Sequence, residues 1–484
     1  MEEKRISSVL KYLAAFLLPT IFTLMFVGTL DNDTWFVLAE GRYIAENGVF
    51  YTDVLSMHQG LDLTVQQYGF AVIFWWVYSA LGPVGLYLMM LGLNILIMFL
   101  IYKICMLLSN KNVNLSLLVM IVVDLLLIPG FVTTRAQMVS YTVFLAVIYV
   151  MELYIKTNKM KYLWWIPVLS FIQINMHGSL WWMIFLVMGA YFVDGIKKPK
   201  LHLQGYRKKP IVIVGLIAFL VGFLNPYGYK MVTFIFTSYG ATEIVNMVDE
   251  MRPFNLRSAY NIILFLAIAS SMVLYLFGNK KQIRVRYILL YLGFLALGLN
   301  TVKGLSQFIL VMLLPMALMY KNVRVEKVIE DAKARRAMMT WCGITATCVA
   351  MVLLLTIPSS VENHPRMALV EAIDVLDASV EQNGEDKDTL KIYTGYNWGG
   401  YAEYRGYKPF LDPRAEVFLK DDILKEWNNF ILGRMELEEF LNKYDFDYLL
   451  ADAHDAGMYK MRSEDYEVLY SNEDEGFKLL RRLK

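Results

Sequence analysis

The chain has 484 residues, of which 57% are hydrophobic and 14% aromatic, while only 19% are charged against about 25% in a soluble domain. Together with a mean hydropathy of +0.44, this excludes an ordinary soluble protein and points to a polytopic α-helical membrane protein. The 46 basic and 44 acidic residues leave a net charge of +2 with no nucleic-acid signature, so only the placement of charge is informative.

In chain order, MEEKR precedes an apolar run that resembles a signal peptide in outline. No small-residue cleavage site precedes Asp31 and further spans follow, so it reads as a retained first span. Taking about 20 apolar residues per crossing, spans are expected near 11–30, 84–106, 113–131, 137–156, 162–176, 179–196, 210–226, 258–278, 286–302, 305–320 and 338–358, about eleven in all. The segment 67–81, QYGFAVIFWWVYSAL, is under-length and rich in aromatics, so it is laid in the membrane plane. With the N-terminus inside, the basic loops 103–111, 156–161, 197–209, 280–286 and 321–336 then all face the cytoplasm; a crossing at 67–81 would break that agreement. Cys105, Cys342 and Cys348 lie in apolar segments without metal or disulfide spacing and read as buried small hydrophobes.

The opposite loops carry sparse polar residues at membrane depth: Asp31 and Asp33, Arg135, Asn175 and His177 in NMHGS, NPYG at 225–228, Glu250 and Arg252 in VDEMRPF, and Lys303. Ionisable groups there are expensive and mark candidate sites. From about Pro358 the composition turns soluble. A helix near 366–380, strand KIYTG, a turn at YNWGGY, strand KPFLD, helices near 419–431 and 435–443, and strands FDYLLAD, YEVLYS and GFKLLRR predict a small α/β domain. The expected division is a membrane domain at 1–358, with its first outer loop at 31–83, and an extracytoplasmic domain at 359–484.

Asp31 and Asp33, two apart beyond a span, suit a loop in which one is a base or metal ligand and the other caps a helix starting near Thr34. Asp33 is the cap candidate and Gly48 the stop. An acid, fixed cations and an aromatic helix on one face could receive a lipid-borne phosphate. In sugar transfer from a polyprenyl-phosphate carrier, the acid would deprotonate an acceptor hydroxyl. Arg135, Arg252 or Lys303 would hold the departing phosphate. Asp31 and Asp33 could instead bind Mg²⁺ or Mn²⁺ through oxygen.

The stretch DNDTWFVLAEGRYIAENGVFYTDVLS resembles the first outer loop of a bacterial group of GT-C-type membrane glycosyltransferases with the pattern D-x-D-T-W-W-H-L-x-x-G-x-x-I-x-x-x-G. RAQMVS, NMHGS and LNPYG are similar, in order, to that group's R-P-Q-x-x-S, N-x-H-G-G and N-P-Y-G stations, and YNWGGYAEYRGYKPFLDPRAEVF resembles its W-G-G-Y and D-x-R element. The resemblance implies a many-helix fold, a catalytic acid at Asp31 or Asp33, and a lipid-phosphate sugar donor used on the outer leaflet. It implies site-lining roles for Arg135 and His177, and a tail station of Trp398, Asp412 and Arg414 that would help bind the acceptor. The chain departs from the pattern at Val37 in place of His, at Gln66, Gln67 and Tyr68 in place of H-E-W, and at Ala136 in place of Pro. Those changes remove two imidazoles and a carboxylate, weakening a metal assignment and leaving room for an altered substrate.

Each residue also has a plain structural reading: His177 as a packed or capping histidine, NPYG as a turn, Arg135 and Lys303 as snorkelling cations, Glu250 and Arg252 as a mutual pair, Phe70, Phe74 and Tyr78 as packing, and Asp412 and Arg414 as an internal salt bridge. The expectation is a glycosyltransferase acting on a polyprenyl-phosphate-linked sugar and a glycan, lipid or protein acceptor at the outer face of a bacterial cytoplasmic membrane. The alternative is a non-catalytic scaffold or transporter that binds lipid-linked glycan. Polar residues clustered on one face favour transfer over a two-faced transport path.

Overall fold

In hydrocarbon every backbone N–H and C=O needs an internal partner, which drives apolar stretches of this length into helices. The computed structural model describes residues 12–13, 15–23, 30–196, 205–238, 244–245, 248–323, 366–453, 456–459 and 465–483. After helical residues 15–23 come α1 (Asp33–Asn47), α2 (Tyr68–Leu108), α3 (Val113–Phe131), α4 (Gln137–Thr157), α5 (Trp165–Met176), α6 (Met183–Asp194), α7 (Lys209–Val221), α8 (Tyr229–Ser238), α9 (Ala259–Phe277), α10 (Val285–Asn300), α11 (Leu305–Met312) and α12 (Leu314–Met319). Among the described residues, α2, α3, α4, α9 and the run Val302–Met319 are long and apolar enough to cross a membrane. The chain is a multi-pass membrane protein. The span expected at 338–358 and part of that at 11–30 lie outside the described residues, and α8, which follows NPYG, was not expected.

At 1.5 Å per residue the 41 residues of α2 run about 60 Å, twice a bilayer's hydrocarbon thickness. The helix breaks at Gly82, whose φ of 62° and ψ of −157° are not helical, just before Pro83. That break separates the aromatic segment from the span expected at 84–106.

Polar side chains pin the apolar helices together. Arg286 at the start of α10 donates from Nε to Glu152 Oε1 of α4 at 2.8 Å and from Nη1 to Asp194 Oδ2 of α6 at 2.8 Å. The hydroxyls of Tyr191 and Tyr287 donate to the same Glu152 oxygen at 2.8 and 2.6 Å.

The tail comprises α13 (Met367–Asn383), β1 (Ile392–Thr394), α14 (Gly399–Tyr404), α15 (Ile423–Ile431), α16 (Leu437–Tyr444), β2 (Tyr448–Asp452), β3 (Tyr466–Asn472) and β4 (Phe477–Arg482). Its sheet runs β1-β2-β4-β3, with β1 parallel to β2 and the other pairs antiparallel. Two expectations are corrected. YNWGGY leads into α14 and is not just a turn, and KPFLD contributes only a bridge between Pro409 and Ile392. Gly399 is needed there because a Cβ would lie 1.7 Å from the Leu411 carbonyl oxygen.

Among the described residues the tail shares its core with the membrane domain. Trp35, Phe36 and Leu38 of α1 and Phe70 and Phe74 of α2 are buried in one cluster with Leu369, Ile373, Trp398, Tyr401 and Leu450 of the tail. The tail thereby packs on α1 and the start of α2.

Candidate active site

The site begins at the start of α1. Asp31 Oδ1 accepts from the Thr34 backbone N–H at 3.1 Å and from Thr34 Oγ1 at 3.2 Å, so Asp31 makes the capping bonds expected of Asp33. Asp33 is the first residue of the helix, and its carboxylate is directed elsewhere. The helix ends as expected at Gly48, with φ 84° and its N–H on Ile44 O.

Arg135, in the turn from α3 to α4, draws both acids together. Its Nε lies 2.6 Å from Asp31 Oδ2, and its Nη1 lies 3.1 Å from Asp33 Oδ2 and 2.9 Å from Glu250 Oε1. The planar guanidinium offers several donors in fixed directions, which lets one cation serve three carboxylates. Glu250 therefore pairs with Arg135, beyond the Arg252 partner considered from sequence.

These groups line a cavity of about 630 Å³ whose wall also holds Arg252, Lys303 and His177. Burial pushes the Asp33 carboxyl up from 3.8 to about 7, against the pull of Arg135, although its side chain keeps 30% exposure toward the cavity. Arg135 holds Glu250 below the usual carboxylate range. The charge of Lys303 also acts on Asp33, Glu250 and His177, placing it electrostatically among them. Burial lowers His177 to about 3, leaving a neutral imidazole. Gln173 Nε2 donates to Ser140 Oγ at 2.8 Å, and Ser140 Oγ and His177 Nδ1 share a hydrogen bond, also at 2.8 Å.

The tail closes the other side with Tyr396, Asn397, Arg414, Glu416 and Trp427. Arg414 is 2% exposed and bound to Asp53 at 2.9 Å, Glu403 at 2.6 Å and Asp412 at 2.7 Å, with Glu40 at 3.9 Å. Of the sequence candidates, Asp31, Asp33, Arg135, Arg252, Lys303, His177, Glu250 and Arg414 meet at this cavity. Asn175, Trp398 and Asp412 do not line it. Asn175 accepts from the Tyr68 hydroxyl and donates to Leu224 O at 3.2 Å, lacing three loops. The Trp398 indole donates to Asp452 at 2.5 Å, and Asp412 serves Arg414.

Sequence reasoning missed Ser140, Gln173, Glu416 and, of the buried acids around Arg414, Glu40, Asp53 and Glu403, whereas Asp412 was paired with Arg414 from sequence. Ser140, Glu416, Glu40 and Asp53 stood inside quoted motifs without being singled out, whereas Gln173 stood in none. Val37, Gln66 and Gln67, where the chain departs from the family pattern, all lie on the cavity wall. A divalent cation does not fit the acids as they stand, because Asp31, Asp33 and Glu250 converge on a guanidinium. Among the described residues no group of three or more His, Cys, Asp or Glu side chains has metal-holding spacing.

No family model and no curated protein matches the chain. Solved structures do. The archaeal oligosaccharyltransferase AglB from Archaeoglobus fulgidus, in complex with an inhibitory peptide and a dolichol-phosphate, superimposes with a TM-score of 0.61 at 10% identity, over 91% of this chain and 69% of that one. The Archaeoglobus fulgidus oligosaccharyltransferase tethered to an acceptor peptide containing the NVT sequon gives 0.61 at 9% identity over the same shares. Its complex with Zn and sulfate gives 0.61 at 10%, over 90% and 68%. At such identity the likeness concerns the fold alone: the chain is similar in architecture to the archaeal oligosaccharyltransferase.

Proposed function

We propose that the protein is a GT-C-type glycosyltransferase that moves a sugar from a polyprenyl-phosphate-linked donor to a hydroxyl-bearing acceptor, with Asp33 as general base. The observation that carries this reading is Asp33 itself: a carboxylate on the cavity wall, with a pKa near working pH and Lys303 acting on it. Asp31 is committed to the helix cap and makes the shorter contact with Arg135, 2.6 Å against 3.1 Å for Asp33. In the transfer, Asp33 takes the acceptor proton and the acceptor oxygen bonds to the anomeric carbon. The bond from that carbon to the phosphate oxygen breaks, and the electron pair leaves on the phosphate, whose charge Lys303 and Arg252 offset. Arg135 is less suited to the phosphate than sequence implied, because a phosphate would compete with three carboxylates for it.

The outer face of a bacterial cytoplasmic membrane is the proposed place of reaction. Arg135 and Lys156 flank opposite ends of α4, and Lys303 and Arg284 flank opposite ends of α10. The basic loops at 156–161 and 280–286 thus sit away from the cavity, and basic loops face the cytoplasm. About eleven spans and an extracytoplasmic tail from about residue 359 follow from the same parity. The structural neighbours' dolichol-phosphate and acceptor peptide support a lipid-linked donor and an acceptor meeting in one fold. The acceptor is a glycan, lipid or protein.

The test is a pair of single variants, Asp31→Asn and Asp33→Asn, assayed for transfer with polyprenyl-phosphate sugars in membranes. Loss of about 10²-fold or more in Asp33→Asn, at wild-type expression, is expected. Full activity in that variant would remove the base assignment. Binding of a polyprenyl-phosphate analogue at the cavity without transfer to any acceptor class would favour the non-catalytic scaffold, a reading that Val37, Gln66 and Gln67 on the wall support.

A further inference from the structure

We infer that the guanidinium of Arg135 is a built-in cation occupying the place a divalent metal ion would take among Asp31, Asp33 and Glu250, so that the wild-type site needs and binds no divalent cation there. Three carboxylates from two separate segments converge on one cation, the charge that oxygen ligands otherwise offer Mg²⁺ or Mn²⁺, and with the guanidinium between them their spacing holds no metal. The centre here is Arg135, with contacts of 2.6, 3.1 and 2.9 Å to the three acids.

Hydrogen-bond geometry favours permanent occupancy over a passing contact. Arg135 Nε is held by Asp31, whose other oxygen is tied to the start of α1, and Nη1 divides between Asp33 and Glu250. The side chain enters from the turn before α4, next to Ala136, which is 1% exposed and packed in the core shared with the tail. The positive charge is therefore anchored by the fold and cannot be chelated away. Its part in the reaction is that of a positioning residue: it fixes the two aspartates relative to each other and leaves Asp33 open to the cavity. This role rests on the transferase reading, whereas the occupancy of the acid cluster does not.

The experiment is a titration of free Mn²⁺, followed by electron paramagnetic resonance, on the full chain in nanodiscs. The wild type is expected to take up no Mn²⁺ that is sensitive to Asp33→Asn at concentrations up to about 1 mM. Arg135→Ala should gain one Mn²⁺ per chain, and Arg135→Ala combined with Asp33→Asn should lose it again. Arg135→Met, which keeps more of the volume, replaces the alanine variant if that one fails to fold. Uptake by the wild type that Asp33→Asn removes would overturn the inference. So would a folded Arg135 variant that gains no ion. Transfer activity, once detected, should survive EDTA unchanged, and loss on chelation with recovery on added Mn²⁺ would also overturn it. The expected Mn²⁺ behaviour without transfer under any condition would count against the proposed function alone.

Discussion

Asp33 illustrates how two residues of the same type, two positions apart, acquire different chemistry. Asp31 is spent on a helix cap and an ion pair, whereas Asp33 is desolvated beside two other acids, and its pKa rises to about 7. A base works only when ionised, so transfer should increase as pH rises from about 6 to about 8 and level off above that range. A rate profile flat across that interval would refute the assignment. The same shift acts on stability. A carboxyl whose folded pKa is raised stabilises fully below its ordinary 3.8 and loses that contribution as pH rises through about 7. Asp33→Asn should therefore melt above the wild type at pH 8 and converge with it near pH 4, as followed by thermal scanning in detergent. For Asp31→Asn the expected result is different: asparagine caps a helix about as well as aspartate, so stability should change little through the cap, with transfer reduced but present.

At the scale of elements, the best-read parts of the sequence were those where a single physical constraint dominates. Val113–Phe131 matches its expected span to the residue, since polar loops bound a run that hydrocarbon forces into a helix. Gly48 likewise ends α1 because its φ of 84° suits glycine. What escaped reading depended on contacts between distant segments. The W-G-G-Y stretch gives turn signals locally, yet it forms α14 because the adjacent Tyr401 and Ala402 are buried against α1 and the tail core. Asp31 took the cap in place of Asp33 because the helix begins one residue earlier, at Asp33, which then pairs with Arg135, more than a hundred residues away. The candidate residues of the outer loops were legible as a set, since charge at membrane depth is rare. Their grouping around Arg135 was not, since no spacing encodes it. Gly399→Ala tests the packing account: with the Leu411 oxygen 1.7 Å from the new Cβ, α14 must shift, at a cost of about 1–3 kcal/mol, read as earlier proteolysis of the tail. Wild-type protease resistance would show that the junction has slack.

Across the whole molecule, buried cations fasten separate segments. Arg414 joins Asp53 of the first outer loop to Glu403 and Asp412 of the tail. Breaking such a cluster by removing its cation leaves buried acids uncompensated, so Arg414→Met should cost about 3–5 kcal/mol and raise amide exchange in both α1 and α14. Exchange that rises in the tail alone would separate the two. Glu40, pushed up to about 8 by burial, is protonated at neutral pH, so Glu40→Gln should leave the melting temperature at pH 7 nearly unchanged. A large drop there would show that Glu40 is ionised.

The walls of the cavity come from both ends of the described chain, Asp31 on one side and Trp427 on the other. Biogenesis then has an order built into it. The ribosome delivers the acids first and the membrane helices next, and the closing wall emerges only after some 400 residues have been made. Until then the acids face an open, unwalled surface, and a nascent chain in the membrane has the parts of a site without its enclosure. A chain stopped before Tyr396 would therefore carry Asp31, Asp33 and Arg135 without the wall that encloses them.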